Sequence, residues 1–97
     1  MPTYISLFNW TDQGVKIFKE TVARAKSAED AMAKAGIRMK AIYWTQGQYD
    51  VVAITEAPDD ETATAFLLSL GAQGNIRSST LRAFSAEEME RIIAKAG

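Results

Sequence analysis

The residues best suited to chemistry in this sequence lie in three short motifs that should meet at one edge of a small sheet. The motifs are Asn9-Trp10-Thr11, the segment from Trp44 to Asp50, and Gly74 to Arg77. Because the chain has neither histidine nor cysteine, it lacks the usual proton shuttles, thiol nucleophiles and soft metal ligands. The candidate ligand-binding residues are therefore amides, aromatic rings, one carboxylate and one guanidinium: Asn9, Trp10, Tyr43, Trp44, Tyr49, Asp50, Asn75 and Arg77.

Length and composition predict one globular domain over residues 1–97. Hydrophobic residues make up 47% of the 97 residues, which supports a modest core and leaves little chain for a second domain. The net charge of −1, with acidic and basic residues interspersed, argues against binding to nucleic acid. No apolar run approaches the roughly 18 residues that cross a bilayer, and no signal sequence precedes the first apolar segment. We therefore expect a soluble cytoplasmic protein without a membrane partner.

Hydrophobic periodicity predicts seven elements in the order β, α, β, β, α, β, α. Strands are predicted at 4–10, 37–45, 48–56 and 75–84, and helices at 15–35, with a break near Thr21, at 59–70 and from Ser85 onward. Gly36 should end the first helix, while Asp59 and the Ser85 capping box should start the other two. The last helix should turn inward the side chains of Met89, Ile92, Ile93 and Ala96.

This order is the split βαβ arrangement of a ferredoxin-like α+β fold, with a C-terminal helix added. It predicts an antiparallel sheet with strand order 4-1-3-2 and both main helices on one face. The other face then lacks a helical cover, so it must be solvated, bind a ligand or pack against a second subunit. We expect self-association through this face.

Gln46-Gly47 has the length and composition of a two-residue hairpin turn. Such a turn places Trp44 opposite Tyr49 and Tyr43 opposite Asp50. The hairpin face that carries Tyr43 and Asp50 is the more apolar through its middle, so we assign it to the helix-covered core. Asp50 would then point inward, and Trp44 with Tyr49 would lie on the uncovered face.

Asp50 and Arg77 are the charged groups of the predicted pocket, and each has two interpretations. A partly desolvated Asp50 could bind a ligand or act as a general base, or it could serve structure by accepting local hydrogen bonds. Arg77 beside the amino end of the first helix favours an anionic ligand, although an ion pair with Asp50 would explain it equally well.

Two other interpretations of the sequence are weaker. The acidic run Asp59-Asp60-Glu61 could suggest a metal site, but acidic residues at a helix start are explained by capping and the helix dipole, so we expect no metal and no cofactor.

RNA-recognition domains share this topology and stack bases on aromatic residues of the third strand. Here Asp50, Val51 and Ile54 occupy the corresponding positions, which argues against RNA binding.

Several motifs together resemble the GYD domain family, whose name refers to a Gly, a Tyr and an Asp found here as Gly47, Tyr49 and Asp50. The resemblance covers nearly the whole chain and rests on these segments: 2–7, 9–14, 47–50, 57–62, 74–77 and 80–84. It implies a ferredoxin-like fold akin to the dimeric α/β barrels. No activity is established for the family, so the resemblance informs the fold more than the function.

Three functions remain open. The first is a homo-oligomeric domain that binds a small molecule, with anions among the candidates, in a pocket at the motif-bearing edge. The second is a cofactor-independent isomerase or oxygenase of the dimeric-barrel type, with Asp50 as base and Arg77 and Asn9 as anion stabilisers. The third is a structural assembly module whose aromatic residues form subunit contacts and which has no ligand.

Overall fold

The computed structural model describes residues 1–97. In chain order the elements are β1 Thr3–Trp10, α1 Asp12–Lys16, a 3-10 turn Phe18–Glu20, α2 Thr21–Lys34, β2 Arg38–Trp44, β3 Val51–Glu56, α3 Asp60–Ala72, β4 Ile76–Ala83 and α4 Ala86–Ala96. None of these helices combines the length and the apolar character that a bilayer crossing requires.

The four strands form one antiparallel sheet in the order β2-β3-β1-β4, which is the predicted order. Alternation along β1 buries Tyr4, Ser6 and Phe8, as expected for a strand with one covered face. Tyr4 packs with Met32 of α2 and Ala63 of α3, so both main helices cover the same side of the sheet. The architecture is α+β and has the ferredoxin-like element order.

Local capping chemistry explains where the helices begin. Asp59 and Ser85 each accept a hydrogen bond from a backbone N–H in the first turn of the helix that follows, and Ser85 forms a full capping box with Glu88. Gly36 follows α2 with a φ of 80°, a conformation that favours glycine after a helix end. The sequence-based helix ends at these three residues are confirmed.

The first helical segment is divided more strongly than its periodicity predicts. A short α1 ends at Lys16, a 3-10 turn ends at Glu20, and the long helix α2 starts at Thr21. Val15, Phe18 and Val22 recur at the spacing of an apolar helix face, but they are 49%, 46% and 65% exposed. The predicted break near Thr21 is therefore confirmed, and the apolar spacing does not continue across it as one buried stripe.

The β2–β3 hairpin has a longer loop than predicted, since Trp44 pairs with Val51 and Tyr43 with Val52. The Thr45 N–H donates to the Asp50 carbonyl at 2.9 Å, which leaves residues 46–49 in the loop. Gly47 has a φ of 103°, as a tight reversal requires. The predicted pairing of Tyr43 with Asp50 was wrong by two residues, a shift that leaves the alternation of side chains along each strand unchanged.

The assignment of the hairpin faces was also wrong. The helices cover the face that carries Val51 and Ala53, which are buried with Phe8 and packed against Leu67 and Leu70. Both hairpin faces are apolar at their centres, so counting apolar residues could not distinguish them. An irregularity at Lys40 also changes the alternation along β2.

The opposite side of the sheet carries a continuous apolar surface that no helix covers. Strand alternation places six apolar side chains there, and we call this surface the uncovered face. Tyr43 is 63% and Leu81 is 50% exposed. The residues of the uncovered face are Ile5, Leu7, Tyr43, Val52, Ile54 and Leu81.

α4 was expected to pack inward, and this prediction was wrong. None of its residues is buried, and Met89 and Ile93 are 45% and 59% exposed. An amphipathic period specifies that a helix has an apolar stripe but not what covers it. Within one copy of the chain, the stripe of α4 is left without a partner.

Candidate functional site

The three motifs do meet at one edge of the sheet, as the topology predicted. In the β1–β4 ladder Asn9 pairs with Arg77 and Trp10 with Ile76, while the β1–β3 ladder ends at Phe8 and Val51. The end of β2 at Trp44 lies beside Val51. What the topology did not reveal is how tightly the motif residues bind one another.

Thr11 connects the first motif to the third, and we call the contact of residues 11–14 with residues 73–75 the motif junction. The Thr11 N–H donates to the Asn75 carbonyl at 3.1 Å, and the Thr11 hydroxyl donates to the Gly74 carbonyl at 2.6 Å. The same hydroxyl accepts the Gly14 N–H at 3.0 Å as the cap of α1. One threonine therefore starts α1 and binds it to the segment before β4.

Gly14 is buried in the motif junction at a position where only glycine fits. A Cβ atom there would lie 1.9 Å from the Asn75 carbonyl oxygen, far inside van der Waals contact. Beside it, the Gln13 Nε2 donates to the Asn75 Oδ1 at 2.9 Å and to the Gln73 carbonyl at 3.1 Å. The side-chain oxygen of Asn75, a predicted ligand group, is therefore already engaged in folding.

Asp50 lies at the end of the β1–β3 ladder and faces away from the predicted direction. Its N–H donates to the Phe8 carbonyl at 2.9 Å, and its Oδ2 accepts the Trp10 N–H at 2.9 Å. Asp50 precedes β3. Its carboxylate accepts the β1 N–H that a backbone carbonyl would accept if the β1–β3 ladder continued. These contacts support the structural interpretation of Asp50.

The remaining polar candidates do not form the ionic pocket that was expected. The Asn9 Nδ2 donates to the Gln48 carbonyl at 2.7 Å, which holds the hairpin loop against β1. Arg77 is exposed, and the ion pairs of the chain are Arg38–Glu56, Arg82–Glu88 and Arg91–Glu87. The alternative in which Arg77 pairs with Asp50 was therefore wrong.

A cavity lies on the helix-covered side, between α2 and the sheet, and has a volume of about 110 Å³. Phe8, Ile42 and Val51 line it from the strands, and Ala28 and Met32 line it from α2. Trp10 and Trp44, the two tryptophans of the chain, are also part of its lining. Of its 18 lining residues, 13 are hydrophobic, so its interior suits an apolar group.

Four polar side chains also line this cavity, and we call them the cavity rim: Thr21, Arg24, Gln73 and Asn75. The Trp44 Nε1 donates to the Thr21 hydroxyl at 2.9 Å, and the Arg24 Nη2 donates to the Gln73 Oε1 at 3.1 Å. These two bonds join α2 to β2 and to the end of α3. The assignment of Trp44 to the uncovered face was therefore wrong.

The structure divides the predicted candidates between two places. Trp10, Trp44 and Asn75 line the cavity, whereas the others do not: Asn9, Tyr43, Tyr49, Asp50 and Arg77. Sequence reasoning missed Arg24. A signal was present, because Thr21, Arg24 and Ala28 follow helical spacing and therefore share one side of α2.

The largest pKa shift belongs to Tyr4, at the end of the sheet away from the motifs. Burial of the ring, followed by a hydrogen bond from the phenol to Asp60, raises the pKa of Tyr4 to about 12. The stabilisation from the neutral phenol is complete below pH 10 and is lost as the pH rises through about 12. This group supports the packing of α3 and lies outside the motif-bearing edge.

Comparison with known proteins agrees with this architecture. The chain is 31% identical over 90 residues to a Thermus thermophilus protein named "Glutamine synthetase and cystathionine beta-lyase binding protein", and the match covers 92% of this chain and 95% of that protein. The crystal structure of TTHA0845 from the same organism is similar with a TM-score of 0.56 and 25% identity. The structural match covers 89% of this chain and 96% of the TTHA0845 chain.

The sequence model of the GYD domain matches residues 4–93, which includes all four strands and most of α4. The name-giving residues have defined places in the structure: Gly47 permits the hairpin reversal, Tyr49 accepts the Thr45 hydroxyl at its carbonyl, and Asp50 binds the Trp10 N–H. From the extent of the match, the chain belongs to the GYD domain family.

Proposed function

We propose that this chain is a self-associating protein-binding domain, in which a second copy packs on the uncovered face. The single observation that carries the proposal is the uncovered face itself. Ile5, Leu7, Ile54 and Leu81 form a continuous apolar patch on it, across three adjacent strands. Soluble monomers rarely leave a continuous apolar sheet face in water.

The border of this face has the composition of an interface rim. Asn9 and Arg77 lie next to each other at one end of the face, and Glu56 and Thr3 lie at the other. An apolar centre inside a polar rim is the usual anatomy of a protein–protein contact. A second copy would supply the same apolar surface, so the contact can be symmetric.

The apolar stripe of α4 supplies a second surface for assembly. Its exposed Met89 and Ile93 lie one turn apart on a helix that begins just beyond β4. Covering both this stripe and the sheet would bury more apolar area than covering the sheet alone, and stable dimers need on the order of 800 Å² from each partner. The two surfaces together favour an assembly over an isolated chain.

The extension from self-association to other proteins is supported by the Thermus thermophilus relative, whose name describes binding to glutamine synthetase and cystathionine beta-lyase. A small domain without an evident nucleophile–base pair suits such a role. We propose that the oligomer of this chain also binds other proteins through its exposed surfaces.

Sedimentation velocity at micromolar concentration tests the assembly. The wild-type chain should sediment as an oligomer, and Leu81→Lys should shift it to monomers because the new charge lies within the uncovered face, on its edge strand β4. Ser78→Lys is the matched control, since it adds the same charge to the same strand on the opposite side of the sheet, at an exposed position.

A wild-type chain that remains monomeric at these concentrations contradicts the proposal. So does a Leu81→Lys variant that sediments like Ser78→Lys. Circular dichroism of both variants should match the wild type, because neither side chain is buried within one copy.

A second candidate function is small-molecule binding, and the cavity beneath α2 is the observation that favours it. The bound molecule would sit among apolar side chains of the sheet and α2, next to Trp10 and Trp44. Titration with benzyl alcohol, followed by tryptophan fluorescence, should give a saturable change. The isomerase or oxygenase alternative gains no support from this geometry, since Asp50 does not line the cavity and its carboxylate already binds the Trp10 N–H.

A further inference from the structure

We infer that the cavity takes a small monocarboxylic acid with one aromatic ring or a branched aliphatic body, and that Arg24 binds its carboxylate. The inference rests on the small-molecule function proposed above and adds the chemical class of the ligand and a residue that selects it. Three features carry it: the volume of the cavity, the charge of its lining and the hydrogen bonds at its rim.

The volume limits the buried body to about the size of one ring. An engineered core cavity of roughly 150 Å³ lined by apolar side chains binds benzene, and the cavity here measures about 110 Å³. A ring or a branched alkyl group can therefore enter only if its polar substituent remains at the rim.

The charge of the lining points to an anion. Arg24 is the only charged residue among those that line the cavity, and it takes part in none of the ion pairs of the chain. Its present partner is the neutral side-chain oxygen of Gln73 at 3.1 Å. A carboxylate is a stronger acceptor for a guanidinium and can accept two parallel N–H bonds.

The rim offers additional hydrogen bonds to the same head group. The Thr21 hydroxyl accepts the Trp44 Nε1–H and donates to no acceptor of the chain, so its proton remains available. The Gln73 side-chain oxygen already accepts a hydrogen bond from Arg24, but its amide N–H groups are free to turn toward a ligand. Thr21 and Arg24 lie three residues apart on α2 and therefore face the same carboxylate from one helix.

The test uses the two tryptophans in the lining as reporters. Sodium benzoate, benzyl alcohol and sodium acetate are titrated into the wild-type chain, Arg24→Gln and Lys26→Gln. Lys26 is an exposed residue of the same helix that lies outside the cavity, so its variant removes one positive charge without altering the rim.

We expect benzoate to change the fluorescence saturably in the wild type and in Lys26→Gln, and acetate to give no saturable change because it lacks a body that fills the cavity. In Arg24→Gln the benzoate affinity should fall by about tenfold or more, the loss typical of a charge-assisted hydrogen bond. The affinity for neutral benzyl alcohol should fall much less, because its hydroxyl carries no charge for Arg24 to bind.

Three results would overturn the inference, and they differ in what else they remove. If Arg24→Gln and Lys26→Gln bound benzoate with equal affinity, Arg24 would not select the ligand and the ligand would not have to be an anion. Saturable binding of benzyl alcohol would still support the small-molecule function. If neither aromatic probe gave a saturable change, both the inference about Arg24 and the small-molecule function would be contradicted. Ala28→Leu, which adds a side chain to the cavity lining, should abolish binding of both probes, and unaltered binding would place them elsewhere.

Discussion

The motif junction and the uncovered face differ in how fully their groups are paired within one copy of the chain. At the junction, Thr11, Gly14 and Asn75 fill each other's space and hydrogen-bonding capacity. On the uncovered face, Tyr43 and Leu81 have large exposed side chains and no covering element.

This difference changes how the motifs are interpreted. Residues that attract attention by type, such as the asparagines and Asp50, are largely engaged in folding. The uncovered face is made of ordinary aliphatic and aromatic residues whose types alone suggest no chemistry. A sequence motif can therefore reflect close local packing rather than binding. Binding surfaces are found instead among the residues that the fold leaves uncovered.

The largest expected effect is at the motif junction. Gly14→Ala places a methyl group against the Asn75 carbonyl, with 1.9 Å between the atoms before relaxation, and should lower the free energy of unfolding by about 3 kcal/mol or prevent folding, as overpacking against backbone does. Urea denaturation of the variant measures it.

Gly71→Ala is the matched control for this change. Gly71 lies within α3 and has no atom within 4 Å of an added Cβ, so alanine should stabilise the helix by about 0.5 to 1 kcal/mol. If Gly14→Ala and Gly71→Ala had the same denaturation midpoint, the junction would not be close-packed.

An intermediate effect is expected at Asp50. Asp50→Ala leaves the Trp10 N–H without its acceptor and should lower the free energy of unfolding by about 1 to 3 kcal/mol. Asp50→Asn should cost less, because an amide oxygen can still accept that bond. Chemical denaturation of both variants checks the order, and a variant Asp50→Ala as stable as the wild type would contradict the structural role of this residue.

The smallest effect on global stability is expected at α4. Ser85→Ala removes the side chain of the capping box, which typically costs a helix about 1 kcal/mol. Because no residue of α4 is buried within one copy, the denaturation midpoint of monomeric protein should barely move. Hydrogen exchange should instead accelerate at the amides of residues 86–89. A large drop in the midpoint would mean that α4 is packed within the monomer.

Much of the fold could be predicted because it depends on local signals. The helix starts at Asp59 and Ser85 and the helix end at Gly36 follow from capping chemistry within a few residues. The strand order follows from the sequence of elements and the short connections between them. The GYD resemblance, which the family match confirms, adds to this prediction.

The candidate site could be predicted only in part. The meeting of three motifs at one edge follows from strand order, but the side of the sheet that the helices cover does not, because both hairpin faces are apolar at their centres. Trp44 and Asp50 were both placed on the wrong side for this reason. Arg24 was missed because the cavity that it lines is formed by several elements distant from it in sequence.

By itself, the sequence determined the elements, their order and the residues that cap them, since these depend on interactions between near neighbours along the chain. Only the tertiary structure decided which sheet face the helices cover, that a cavity with Arg24 at its rim remains beneath α2, and that α4 has no partner within one copy. These outcomes depend on how side-chain volumes from distant segments fill a shared space, and hydrophobic periodicity carries no information about that fit.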